Sequence, residues 1–199
     1  MKKFWIVLIF SLVLSLPAKA LDLSVVGGLG FTKPSGDISG TPIVFSSNTA
    51  FGVGGLLGFT ANWLLTFETG LLYMPRKFAQ PSFSDVTLTT LQFPLILRFQ
   101  FVPFFSVGVG GYFAQGIGNV STTATGSSTS TDVDYATFNL SKSDIGLIGS
   151  AALYLPVLPT MSLLADFRYL LGLKNISLAS TTTIRLREFQ ILFGLRLSY

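Results

Sequence analysis

The side chains that could do chemistry in this 199-residue chain are carboxylates and guanidinium groups, because the sequence contains no histidine and no cysteine. The commonest general base and metal ligand is therefore missing, as are thiolate sites, a cysteine nucleophile and disulfides. We predict no metal and no cofactor. A carboxylate pair could cleave glycosides, or the charges could neutralise each other in ion pairs. The candidates for either role are Glu68, Arg98, Asp144, Asp166, Arg168 and Arg196.

All of these charged residues lie on the polar side of segments in which apolar and polar residues alternate. Successive side chains of a strand point to opposite faces, so the charges share one face of each predicted strand. Asp22, Arg76 and Glu188 have the same parity near segment ends. In the C-terminal segment the apolar face consists of Ile191, Phe193, Leu195, Leu197 and Tyr199. The pattern recurs within residues 21–31, 51–60, 65–73, 91–99, 105–113, 144–153 and 163–172.

The composition decides which face meets the surroundings. Only 11% of the residues are charged, against about 25% in typical soluble domains. The non-apolar face is built mainly of Gly, Ser and Thr, which makes a poor soluble surface but suits the interior of a narrow barrel. Lipid in turn tolerates no open sheet edge. We therefore predict an all-β fold: an eight-stranded antiparallel up-and-down transmembrane β-barrel, with short periplasmic turns and four longer extracellular loops.

The connections support this topology. Short connections are predicted at 61–64, 100–104 and 155–160, and long ones, rich in polar residues, at 32–49, 75–87, 115–142 and 173–185. An even strand number places both termini of the barrel domain on the short-turn side, which is the periplasm. Pro94 lacks a backbone donor within a predicted strand, so we expect a local bulge or a rim feature there. Four apolar residues break the alternation on the polar face: Leu56, Ile96, Ile148 and Leu164. Candidates for an aromatic girdle at the short turns are Trp63, Phe101, Phe104, Phe105, Tyr154 and Tyr199.

The first 20 residues have the layout of a cleaved signal peptide of the Sec type. Two lysines precede an apolar run over residues 4–16, and Ala18 and Ala20 occupy the small-residue positions of a cleavage site. The run is short for a membrane span, which needs about 20 apolar residues. Residues 21–199 then form the barrel domain. They carry ten basic and nine acidic residues without a basic run, so no nucleic-acid partner is expected.

Several segments resemble the outer membrane protein beta-barrel domain family of small, porin-family-like barrels. The similar stretches are Phe67–Tyr73, Leu91–Phe99, Asp144–Gly149 and Asp166–Ile176. The resemblance implies an eight-stranded barrel in a Gram-negative outer membrane and no catalytic residues. The C-terminal stretch resembles the signal that the barrel-assembly machinery reads, which would involve Phe193, Leu195, Leu197 and Tyr199.

The functional hypothesis is a non-enzymatic outer-membrane barrel with a structural or surface-interaction role, its lumen filled by ion pairs. Its partners would be outer-membrane lipid, the assembly machinery and a surface ligand of the loops. A narrow pore or solute-uptake barrel, a histidine-free lipid-modifying enzyme and a soluble periplasmic lipid binder remain as alternatives. The Ser/Thr-rich run over residues 121–131 is interpreted as a flexible polar cover or as a contact surface.

Overall fold

The computed structural model describes residues 20–80, 83–124 and 129–199. The predicted signal peptide therefore lies outside the described residues, apart from Ala20 at the start of the first strand. None of the described residues forms a helix that is long and apolar enough to span a membrane. The strands in chain order are β1 (Ala20–Thr32), β2 (Ser35–Ile38), β3 (Thr41–Ile43), β4 (Ser46–Thr60), β5 (Leu65–Gln80), β6 (Phe83–Val102), β7 (Phe105–Ala124), β8 (Ser130–Val133), β9 (Ser143–Leu158), β10 (Met161–Gly172), β11 (Thr182–Arg185) and β12 (Arg187–Ser198).

Eight of these strands form a closed antiparallel barrel. Going around it, the order is β1, β4, β5, β6, β7, β9, β10 and β12, so each barrel strand pairs with the next one along the chain. The barrel closes where β1 pairs with β12, from Asp22 opposite Ser198 to Thr32 opposite Glu188. The predicted up-and-down barrel is confirmed.

Outward-facing side chains are large and apolar along most of each strand. Val25, Leu95 and Phe193, for example, are at least 60% exposed on the outer face. The aromatic residues Trp63, Phe101, Phe104 and Tyr199 are also exposed, at or near the short connections. The soluble lipid-binder alternative is wrong, because it requires the apolar face to line a cavity and the charges to face water.

The strands are longer than predicted. Residues 75–80 and 83–87, predicted as parts of a loop, lie in β5 and β6, and all of 115–124 belongs to β7. At the long-loop end of β6, apolar side chains face inward and polar side chains face outward. Val86 and Leu88 are buried inside, whereas Thr87 and Thr89 point outward and are only partly buried. Beyond the lipid the outer face of a strand meets water, so the pattern inverts while the pairing continues. The predicted bulge at Pro94 is absent, because the register is the same on both sides of it.

The long connections contain further paired backbone. Strands β11, β2 and β3 form a three-stranded sheet above the barrel end. In the Ser/Thr-rich run, Val120–Thr123 pair with Ser130–Val133 as the two arms of a hairpin. The prediction of a flexible cover is therefore wrong for these arms, while residues 125–128 lie outside the described part.

Candidate functional site

Among the described residues, the buried and partly buried charged side chains of the barrel lumen form three groups at different heights. We call them the central cluster (Glu68, Arg98, Asp166 and Arg168), the upper cluster (Arg76, Asp144 and Glu188, with Gln92, Gln190 and Tyr112) and the rim pair (Asp22 and Arg196). The six predicted charged residues all point inward, but the structure distributes them over all three groups. The alternation in the sequence predicts that they share the inner face, but it does not predict their positions along the barrel axis.

The central cluster is a compact set of two carboxylates and two guanidinium groups. Arg98 donates from Nε to Glu68 Oε2 at 2.7 Å and from Nη2 to Glu68 Oε1 at 3.0 Å and Asp166 Oδ2 at 2.5 Å. Arg168 donates to the same two carboxylates, to Glu68 Oε1 and to Asp166 Oδ2, each at 2.8 Å. Both guanidinium groups are almost fully buried. The formal charges cancel, which is the condition for keeping such groups in a narrow lumen.

The upper cluster places one arginine between two carboxylates. Arg76 donates from Nη1 to Asp144 Oδ2 at 2.7 Å and from Nε to Glu188 Oε2 at 2.8 Å. Neutral donors add further bonds: the Tyr112 hydroxyl donates to Asp144 at 2.8 Å, and Gln190 Nε2 donates to Glu188 at 2.7 Å. Asp144 therefore belongs with Arg76 and Glu188 rather than with the other predicted residues.

The rim pair lies near the short-turn end. Arg196 Nη2 donates to Asp22 Oδ2 at 2.6 Å, and the guanidinium carbon lies 4.4 Å from the centre of the Tyr154 ring. The prediction that Tyr154 belongs to the aromatic girdle is wrong, because its side chain is buried in the lumen and hydrogen-bonds Ser106 at 3.1 Å. Its even number in β9 already gives it the inward parity of Asp144 and Ser150.

Apolar side chains separate the charged groups. Along β5, Leu72 and Met74 lie between Glu68 and Arg76, and both are buried. The four residues that broke the alternation in the sequence, Leu56, Ile96, Ile148 and Leu164, are all buried inside the barrel. They are part of the lumen filling and are not defects of the strands. A cavity of about 10 Å³ remains beside Glu68 and Arg196, which is room for about one water molecule.

An apolar cap closes the long-loop end. It contains residues from all four long connections and the strand ends beside them: Phe45, Phe78, Val86, Leu88, Val120, Tyr135, Leu140, Ile176 and Leu186. Within it the Phe45 and Phe78 rings make an edge-on contact with centroids 5.8 Å apart. The loops are thus packed against the barrel rather than standing free of it.

Tyr135 in this cap allows a pH test. Burial raises the pKa of its hydroxyl to about 12, and the nearby positive charge of Arg76 opposes this only in part. The unfolded-state value is about 10, so the folded chain holds this proton more tightly. The stabilisation is complete below about pH 10 and is lost as the pH rises from about 10 to 12.

We expect the difference in absorbance at 295 nm between the protein and its Tyr135→Phe variant to rise with a midpoint near pH 12. The variant should also lose the Tyr135 contribution to the pH dependence of its thermal midpoint between about pH 10 and 12. A difference signal that rises near pH 10 would contradict the buried hydroxyl.

The chemistry of these groups is limited by their pairing. Every carboxylate of the three groups is within 2.8 Å of an arginine nitrogen. Among the described residues, no group of three or more acidic residues could hold a metal ion.

Sequence reasoning missed the parts played by Gln92, Gln190 and Tyr112, although all three have the inward parity.

Comparisons with known proteins identify the fold. The family model described as "outer membrane protein beta-barrel domain" matches residues 18–178. The chain is similar to the outer membrane protein OprG from Pseudomonas aeruginosa, with 10% identity, a TM-score of 0.53 and coverage of 89% of this chain and 95% of OprG. It is also similar to the outer membrane protease OmpT from Escherichia coli, with 8% identity, a TM-score of 0.52 and coverage of 93% and 98%.

The attachment invasion locus protein Ail of Yersinia pestis matches at 12% identity, with a TM-score of 0.46 and coverage of 89% and 98%. At these identities the likeness to solved structures is one of fold alone. No curated protein sequence matches the chain.

Proposed function

Because the chain belongs to the outer membrane protein beta-barrel domain family, and is thus an outer-membrane β-barrel, we propose that it is a closed, non-conducting barrel. It would contribute to the envelope as a structural element and present its loops for surface interaction. In this proposal the short connections face the periplasm and the capped end faces the outside of the cell. The observation that carries it is the filled lumen.

The filling consists of three successive barriers to a solute. The rim pair and the central cluster occupy the short-turn side, buried apolar residues such as Leu72 and Leu192 follow, and the upper cluster lies beneath the apolar cap. An ion entering from the short-turn side would have to displace paired charges whose nitrogen–oxygen distances are 2.5 to 2.8 Å. Breaking such a pair leaves a buried charge without compensation, which is strongly unfavourable.

Planar-bilayer recording tests the proposal. We expect no stable unit currents from the refolded barrel, because paired charges and buried apolar side chains fill the lumen and the apolar cap covers its long-loop end. Folding of the same preparation is checked by its shifted gel migration before and after boiling, and a general porin reconstituted in the same lipid serves as the conducting control. Reproducible unit currents from the folded protein would favour the narrow pore or solute-uptake alternative instead.

We further propose that the protein has no catalytic activity. The likeness to OmpT covers the fold and carries no residue roles to this chain. The lumenal carboxylates are occupied by arginines, so none is placed to exchange a proton with a substrate. The assembly-signal role of Phe193, Leu195, Leu197 and Tyr199 stays a prediction; in the structure Phe193, Leu195 and Tyr199 are exposed on the outer face.

A further inference from the structure

The pairing of the first and last barrel strands continues beyond the barrel. In β1 and β12, Thr32 lies opposite Glu188, and in β2 and β11, Ser35 lies opposite Arg185, so the register is unchanged between them. The Lys33 amide donates to the Arg187 carbonyl at 2.9 Å. Lys33 and Arg187 are therefore directly opposite each other on paired backbone.

Both of these basic side chains point outward. The flanking Thr32 and Glu188 are buried on the inner face, whereas Lys33, Arg187 and Arg185 are exposed. Cβ atoms of directly opposed residues are about 4.5–5.5 Å apart, and like charges in such a pair are destabilising. With Arg185 two residues further along the same face, the arrangement places three positive charges together.

In the part of the chain that the structure describes, no carboxylate compensates these three charges. Among the described residues none lies within 4.0 Å of Lys33, Arg185 or Arg187 in an ion pair, and Asp37, which follows Ser35 on the same face, makes none. Other cations at this end do have polar partners. Lys77 pairs with Asp85 at 3.0 Å, Lys142 with Asp134 at 3.6 Å, and Lys174 donates to the Ser143 hydroxyl at 2.6 Å.

The position of the three charges relative to the lipid-facing surface identifies the missing anion. Immediately towards the membrane on the same face, Phe31 and Phe189 form a ring pair with centroids 6.3 Å apart. Two residues of a strand cover about 6.8 Å. The basic residues therefore stand one step beyond the last lipid-facing aromatics, at the height where aromatic residues give way to headgroups.

We propose that Lys33, Arg187 and Arg185 form a binding site for the phosphate groups of a phosphorylated lipid headgroup in the outer leaflet. Arginine and lysine are the side chains suited to phosphate, and charge-assisted hydrogen bonds are the strong class. An anion between the opposed side chains would turn their repulsion into attraction. The choice of leaflet rests on the orientation proposed above; the binding itself does not depend on it, nor on a sealed lumen.

The experiment measures binding of lipid A, an acylated disaccharide with two phosphates, to the folded barrel in neutral detergent micelles. The test variant is Lys33→Gln/Arg187→Gln, and the matched control, Lys77→Gln/Lys142→Gln, removes the same number of charges from the same end. We expect the test variant to bind lipid A at least about tenfold more weakly, and the control to stay within about twofold of the unmodified protein. The lipid A affinity of Arg187→Gln alone should lie between those of the unmodified protein and the double variant. This single variant replaces the double variant if the latter does not fold.

Two further measurements test whether the phosphate groups of the lipid are what the site binds. Lipid A stripped of both phosphates should bind the unmodified protein as weakly as intact lipid A binds the test variant. Inorganic phosphate should compete only at millimolar concentrations. Without lipid, the test variant should melt at the same temperature as the unmodified protein or higher, since its repulsion is relieved.

Equal losses in the test and control variants would overturn the proposal, and so would equal binding of the dephosphorylated lipid. If inorganic phosphate competed at the same concentration as lipid A, the site would be one for a free anion and not for a lipid headgroup. None of these results bears on the bilayer recording, so a failure here and a failure of the sealed barrel are separate.

Discussion

Replacing Arg98 by alanine is expected to lower the free energy of unfolding by about 3–5 kcal/mol, because removal of one partner leaves buried charges uncompensated. Arg98 bonds both Glu68 and Asp166, and its side chain is 2% exposed. After the change, two carboxylates share the single guanidinium of Arg168. Urea unfolding in detergent micelles, followed by the gel shift between folded and unfolded chains, gives the difference.

Two companion variants separate charge imbalance from other causes. Arg185→Ala removes an exposed arginine outside the lumen and should change stability by no more than about 0.5 kcal/mol. The double variant Glu68→Met/Arg98→Met restores the balance, leaving Arg168 with Asp166, and should recover more than half of the loss. If Arg98→Ala were as stable as Arg185→Ala, the central cluster would not hold the barrel together.

Introducing a side chain at Gly28 is expected to disturb the closure between β1 and β12. A Cβ there would lie 2.0 Å from the Ile191 carbonyl oxygen and 2.8 Å from the Leu192 Cα, both backbone atoms of the partner strand. Backbone cannot rotate away as a flexible side chain can, so the strands must separate locally. We expect Gly28→Ala to lose about 3 kcal/mol of stability, at the upper end of overpacking effects, measured by the same unfolding assay.

The matched control is Gly149→Ala in β9, where an added Cβ has no neighbour within 4 Å. This variant should be neutral or up to about 1 kcal/mol more stable, because glycine in a strand carries an entropic cost. Equal stability of the two alanine variants would show that the closure has room for side chains.

The fold was predictable because lipid imposes one pattern on every strand. Where the outer face meets acyl chains, odd-numbered positions such as Leu95 and Phe193 are apolar, and the even-numbered charges follow as the inner face. The ends of the strands were not predictable from that pattern. At Val86 and Leu88 the apolar side chains turn inward because the outer face is in water, and a search for lipid-facing apolar residues ends too early.

The charged site was predictable in its membership but not in its pairing. Glu68 and Arg98 are on adjacent strands, but Arg76 and Asp144 meet across the lumen from strands that are not neighbours. Which charges meet depends on the stagger between strands, and the register is fixed by the pairing of the whole barrel. The prediction for Tyr154 was wrong for a different reason. Its position near a strand end suggested the aromatic girdle, whereas its even position in β9 directs the side chain into the lumen.

The closing pair of strands also bears on how fast the barrel can form and come apart. Its eleven residue pairs run from Asp22–Ser198 to Thr32–Glu188, so they join parts of the chain that are farthest apart in sequence. Contacts of such long range slow folding, because chain entropy is lost before they contribute. Every other strand pairing in the barrel joins barrel strands that follow one another along the chain, which makes closure the natural rate-limiting event. In the reverse direction, opening exposes two unpaired edges at once in hydrocarbon, so the folded barrel should persist by slow kinetics as much as by equilibrium stability.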